Sequence, residues 1–71
     1  MKVKLRASTI RRMLARKNQS QNAMAGWFNL SSGYVSQLMT GSRSPSPELR
    51  KKFMEKFTEY TFDDLFVIKG R

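Results

Sequence analysis

The sequence contains no cysteine and no histidine. Without cysteine there is no disulfide framework and no thiolate metal site. Without histidine, the commonest general base near neutral pH and the commonest metal ligand are both missing. Acids are scarce as well: the five present are Glu48, Glu55, Glu59, Asp63 and Asp64, all in the last third. A catalytic site would have to be built from these carboxylates or from lysines alone. No apolar run approaches the roughly 20 residues that cross a bilayer. The opening stretch Met1–Ser8 lacks the apolar core of a secretory signal. A chain of 71 residues buries a thin core and leaves little room for a cleft beside its scaffold. The expectation is a single soluble, cytoplasmic domain that is not an enzyme. It needs no cofactor, metal, small-molecule substrate or membrane.

What the chain does have is positive charge, +9 in total and unevenly placed. Residues 1–47 carry Lys2, Lys4, Arg6, Arg11, Arg12, Arg16, Lys17 and Arg43 with no acid among them. Residues 48–71 carry six bases against five acids and are nearly neutral. Solubility alone needs net charge, but it does not need acids to be missing from one region. The acid-free stretch therefore points to a polyanionic partner.

Helical spacing and capping residues divide the chain into five short helices. Residues 1–6 alternate basic and apolar. With no pairing partner in view they read as a flexible basic arm (Lys2, Lys4, Arg6) rather than a strand, since a lone strand pair is marginal. Ser8 or Thr9 can cap the first helix, whose inner face is Ile10, Met13, Leu14 and Lys17. Ser20 caps the second, with Met24, Ala25 and Phe28 inward. Asn29 sits in the turn, where a left-handed backbone is tolerated by Asn after Gly. Ser31 caps the third, with Val35 and Leu38 inward. Its outer face is Ser32, Gly33, Ser36 and Gln37, which is uncharged and rich in hydrogen-bonding ends. Ser46-Pro47-Glu48 opens the fourth helix, with cap, first-turn proline and an acid at the positive helix end. Its inner stripe is Leu49, Phe53 and Phe57. Thr61-Phe62-Asp63-Asp64 opens a fifth, continuing through Ile68. The organisation expected is an arm at 1–6, one domain at 7–68 and a tail at 69–71.

Gln21–Gly41 is the centre of this plan: two short helices and a tight turn, the layout of a helix-turn-helix. Four stretches in order carry a closer likeness. They are S-Q-x-x-M-A at Ser20–Ala25, L-S-x-x-Y-V-S-Q-L-x-x-G at Leu30–Gly41, R-x-P-S-P-E-L at Arg43–Leu49 and T-F-D-D-L-F at Thr61–Phe66. With them, residues 5–68 resemble the lambda-repressor-like (Cro/C1-type) helix-turn-helix regulators. The resemblance implies an all-α, five-helix domain and a sequence-specific, double-stranded DNA-binding repressor of prokaryotic or phage kind, often a homodimer. It implies that the third helix enters the major groove, with Ser32, Gly33, Ser36 and Gln37 toward the bases. It puts Gln21, Ser31, Tyr34, Thr40 and Arg43 near the sugar-phosphate backbone. Phe62, Leu65, Phe66 and Ile68, on the fifth helix, are the candidate dimer surface.

Three departures from the family pattern involve four positions. Leu14 and Met39 stand where it usually pairs Arg with Glu, an apolar swap that leaves no half-pair buried. Asn29 replaces the turn glycine, and Gly33 stands where many members carry a base-reading side chain. Trp27 lies outside the buried stripe: it either folds over a neighbouring helix or forms part of a protein-binding patch. With the apolar C-terminal segment, it motivates the alternative function, a protein-interaction module (antitoxin or accessory DNA-binding subunit) on the same fold.

Overall fold

A computed structural model describes residues 2–70; Met1 and Arg71, the outer ends of the expected arm and tail, lie outside the described residues. The order is strand β1 (Lys2–Leu5), helices α1 (Ala7–Lys17), α2 (Gln21–Trp27), α3 (Ser32–Thr40), α4 (Pro47–Lys56) and α5 (Phe62–Leu65), then strand β2 (Phe66–Lys69).

The helices end where local chemistry ends them. The hydroxyls of Ser20, Ser31 and Ser46 accept from the backbone N–H of Ala23, Tyr34 and Leu49, at 3.1, 3.1 and 3.2 Å. Each satisfies a donor that the first helical turn leaves free. α1 lacks such a cap: Arg6 holds the N-cap position and neither Ser8 nor Thr9 performs the role expected of it. At the other ends, Asn18 (φ 55°) closes α1, Gly41 (φ 87°) closes α3, and Asn29 (φ 56°) turns the chain between α2 and α3. All three are left-handed, a conformation that Gly adopts freely and Asn at modest cost.

The core is apolar throughout. Phe28 of the α2 end stacks on Phe53 of α4 (4.4 Å between centroids, 10° between planes), and Phe57 meets both rings edge-on at 5.7 Å. Ile10, Met13, Met24, Val35 and Leu38 close around them. Leu14 and Met39 are also buried, and both contribute apolar area to the core.

The all-α expectation fails at both chain ends. β1 pairs antiparallel with β2, with Lys2 opposite Lys69, Val3 opposite Ile68, Lys4 opposite Val67 and Leu5 opposite Phe66. The described residues therefore form five helices and a two-stranded sheet. Lys2–Leu5 of the basic arm form a strand, and the tail's Lys69 belongs to its partner. The fifth helix is a single turn that stops at Leu65 rather than running on to Ile68. An unbroken apolar run such as Leu65–Ile68 does not by itself separate a buried helix from a strand. Aromatic and β-branched residues (Phe66, Val67, Ile68) favour the extended form once a partner is beside them. A sheet this small is marginal alone. Here Leu5 and Phe66 lie opposite each other and are both buried in the core, which supplies the missing stabilisation.

Arg6 pins this closure. Its backbone N–H donates to the Leu65 carbonyl at 2.8 Å, and its Nε donates to the carbonyls of Asp63 at 2.7 Å and Phe66 at 3.2 Å. At α5, Thr61 and Asp64 exchange side-chain-to-backbone bonds of 3.2 and 3.0 Å, a reciprocal capping box. No helix among the described residues is long and apolar enough to cross a membrane.

Candidate nucleic-acid interface

The face of α3 opposite its buried Val35, Leu38 and Met39 carries Ser32, Gly33, Ser36 and Gln37, all exposed. None is charged, so this face can lie against another polar surface without stranding a charge. A Cβ at Gly33 would meet nothing within 4 Å, and Gly33 has no positive φ. The fold itself therefore does not require glycine there.

The end of α3 is organised around Gln37. Its backbone carbonyl accepts from the N–H groups of Gly41 (3.1 Å) and Arg43 (3.3 Å), and from the hydroxyls of Thr40 (3.2 Å) and Ser42 (3.4 Å). Its side-chain Oε1 accepts from Arg43 Nε at 2.9 Å. The Arg43 guanidinium also lies over the Tyr34 ring, 5.3 Å from its centroid, a geometry in which cation and ring attract. Tyr34, Gln37, Thr40 and Arg43 are thus brought together in one exposed cluster. Ser31 is tied to it through its cap on Tyr34. Gln21 stands apart, exposed at the first position of α2.

The arm residues separate by role. Lys4 Nζ donates to the Gly41 carbonyl at 2.7 Å, which brings one arm residue to the end of α3, between Thr40 and Arg43. The strand register puts Lys2, Lys4 and Lys69 on one face of the sheet. Arg6 is committed to the closure. Sequence reasoning missed the Lys4 tie and the Arg43–Gln37 pair. The second had a signal, a glycine stop at Gly41 that folds residue 43 back along the last turn; the first had none without the strand pairing.

The candidate dimer surface does not survive as drawn. Leu65 and Phe66 are 0% exposed and belong to the protein's own core, so a second copy cannot reach them. Leu65 is the buried residue of the short α5, and Phe66, the first residue of β2, faces the core opposite Leu5. Phe62 is half-buried, with its ring 5.0 Å from Phe66, and Ile68 is 51% exposed. Trp27 takes the first of its two expected places. It packs edge-on against Phe57 at 6.2 Å, with Lys56 Nζ 5.2 Å above its ring. Trp27, Phe28 and Asn29 with Lys52, Glu55 and Lys56 line an open depression of about 400 Å³. No group of three or more His, Cys, Asp or Glu side chains among the described residues could hold a metal ion.

No protein-family model, curated protein or solved structure matches the chain.

Proposed function

We propose that the chain is a sequence-specific, double-stranded DNA-binding regulator of the lambda-repressor-like kind, acting in the cytoplasm and without catalytic activity. The observation that carries this is the surface of α3: exposed, uncharged and hydrogen-bonding at Ser32, Gly33, Ser36 and Gln37, and bordered by Arg43 in a stretch of 47 residues with no acid. α3 enters the major groove, where base edges offer donors and acceptors to such side chains. Arg43, Thr40, Tyr34, Ser31 and Gln21 lie toward the sugar-phosphate backbone, which fixes register and supplies most of the affinity. Lys2, Lys4 and Lys69 on the sheet add sequence-independent attraction.

The rival, a protein-interaction module, rested on Trp27 and an apolar C-terminal helix. Trp27 is engaged with Phe57 and Lys56, and among the described residues Ile68 is the one large hydrophobic side chain that is exposed. That leaves a protein partner little apolar area to cover, which favours the DNA reading.

Binding measured by fluorescence anisotropy tests the proposal. The protein should retain a subset of duplexes from a random pool and prefer them over scrambled ones. Affinity should fall by orders of magnitude between about 50 and 200 mM salt, as counterion release requires. Gln37→Ala should bring the selected duplexes close to the scrambled ones. Equal affinity of the native protein for selected and scrambled duplexes would reject the proposal.

A further inference from the structure

Given the DNA-binding reading, on which this step rests, we infer that Arg43 sets the base preference of Gln37 and directs it to guanine. A free glutamine amide can grip adenine with both ends, accepting from the N6 amine and donating to N7. In this protein one of the two lone pairs on the amide oxygen already holds Arg43. Arginine carries only donors, so the 2.9 Å bond from Arg43 Nε requires Gln37 to turn its oxygen to Arg43. The amide NH₂ is left free.

The pair is held from several sides. The Gln37 carbonyl gathers the N–H groups of Gly41 and Arg43, which fixes residue 43 against the last turn of α3. The guanidinium is supported from below by the Tyr34 ring. Tyr34 is half-buried and its N–H is held by the Ser31 cap. The pair therefore offers the Gln37 amide NH₂ and the remaining guanidinium N–H groups as donors, next to a full positive charge, while its one acceptor oxygen is turned toward Arg43. Guanine presents two acceptors in the major groove, N7 and O6. Adenine and cytosine each present an amine, and thymine a single acceptor beside a methyl group. Donors backed by a cation fit guanine and oppose the amines. Arg43 acts here as a positioning residue in addition to any phosphate contact, so its removal changes which duplexes are chosen, beyond how tightly they bind.

Selection from a random duplex pool at one fixed salt concentration, with native protein, Arg43→Met and Gln37→Glu, tests this. The native protein should enrich guanine at one or more positions of its site. Arg43→Met keeps the length of the side chain but removes donor and charge. It should reduce the guanine-over-adenine preference there by about tenfold. Gln37→Glu keeps a partner for Arg43 but presents acceptors, and should move the same position toward cytosine. Both residues are exposed, and matching thermal melts would show that the fold is kept. An unchanged guanine-to-adenine ratio in Arg43→Met, an unchanged preference in Gln37→Glu, or a native site without guanine overturns the inference and leaves DNA binding standing. A native protein that retains no duplex at any salt overturns both.

Discussion

The α2–α3 pair and the β1–α5–β2 closure are held by different kinds of contact. The helix pair is shaped by bonds that reach three to six residues along the chain. They are the Ser20 and Ser31 caps, the Thr40, Ser42 and Arg43 bonds to Gln37, and the left-handed stops at Asn29 and Gly41. The closure joins residues from opposite ends of the sequence, Leu5 to Phe66 and Arg6 to Asp63, and Lys4 ties it to Gly41 at the end of α3. Local bonds define shape but contribute modestly one by one. The closure seals the core, so its stabilisation comes from buried apolar area. The two regions should therefore fail differently when cut.

The largest expected effect lies in the closure. Phe66 is fully buried, with its ring 6.0 Å from Phe53 and 5.0 Å from Phe62. Phe66→Ala should cost about 3–5 kcal/mol, a large share of the roughly 5 kcal/mol that a domain this small is expected to have. Urea denaturation followed by circular dichroism would show the midpoint fall toward zero. A loss under about 1 kcal/mol would mean that the sheet is an appendage and that the helices carry the fold alone.

Next comes a cut in the helix pair. Ser31→Ala removes the cap on α3 and should cost about 1 kcal/mol. Thr9→Ala in α1 should stay within about 0.5 kcal/mol, because the N-cap position belongs to Arg6 and no side chain caps that helix. Equal losses from the two substitutions would contradict this difference in capping.

That contrast explains what the sequence made legible. Caps, stops and helical stripes act over a few residues, so Ser20, Ser31, Ser46, Thr61 and Gly41 could be placed by spacing alone. The exposed face of α3 followed from them. The strands could not be placed in that way. Lys2–Leu5 has a strand's alternation but needs Phe66–Lys69 to pair with, and that segment follows a strong helix start at Thr61-Phe62-Asp63-Asp64. Each half looked like something else until the two were brought together. The Lys4 bond to Gly41 was hidden for the same reason, and so was the burial of Leu65 and Phe66 that removes them from any dimer surface.

Gly33 offers a test in which the two properties of α3 move in opposite directions. It is helical, exposed and without φ strain, and a Cβ has open space. Gly33→Ala should stabilise the protein by about 0.5–1 kcal/mol, read as a higher melting temperature. If α3 lies in the groove with its backbone close to the bases, the added methyl group should weaken binding to selected duplexes despite the firmer fold. A variant that is more stable and binds equally well would move Gly33 out of the contact surface.

The smallest effect concerns a contact that joins distant residues yet lies in water. Lys17 Nζ and Glu59 Oε2 are 3.5 Å apart, with the two side chains 40% and 53% exposed. They are farther apart in sequence than Lys4 and Gly41. The Glu59 carboxyl is held below its ordinary range, chiefly by a hydrogen bond from its own backbone N–H; desolvation opposes this, and the charge and hydrogen bond of Lys17 add to the lowering. A lowered folded pKa means that the fold favours the charged carboxylate. The stabilisation is therefore complete above the unfolded pKa and lost as pH falls through the lowered value. Glu59→Gln should fall slightly below the native protein in urea midpoint at neutral pH, and the gap should close as pH falls through the lowered pKa. High salt should remove the share due to Lys17, because exposed charges are screened, and leave the share due to the backbone bond. A gap that stayed constant with pH would contradict the lowered pKa. A gap as large as the Phe66→Ala loss would show that sequence separation, rather than burial, distinguishes the closure from the helix pair.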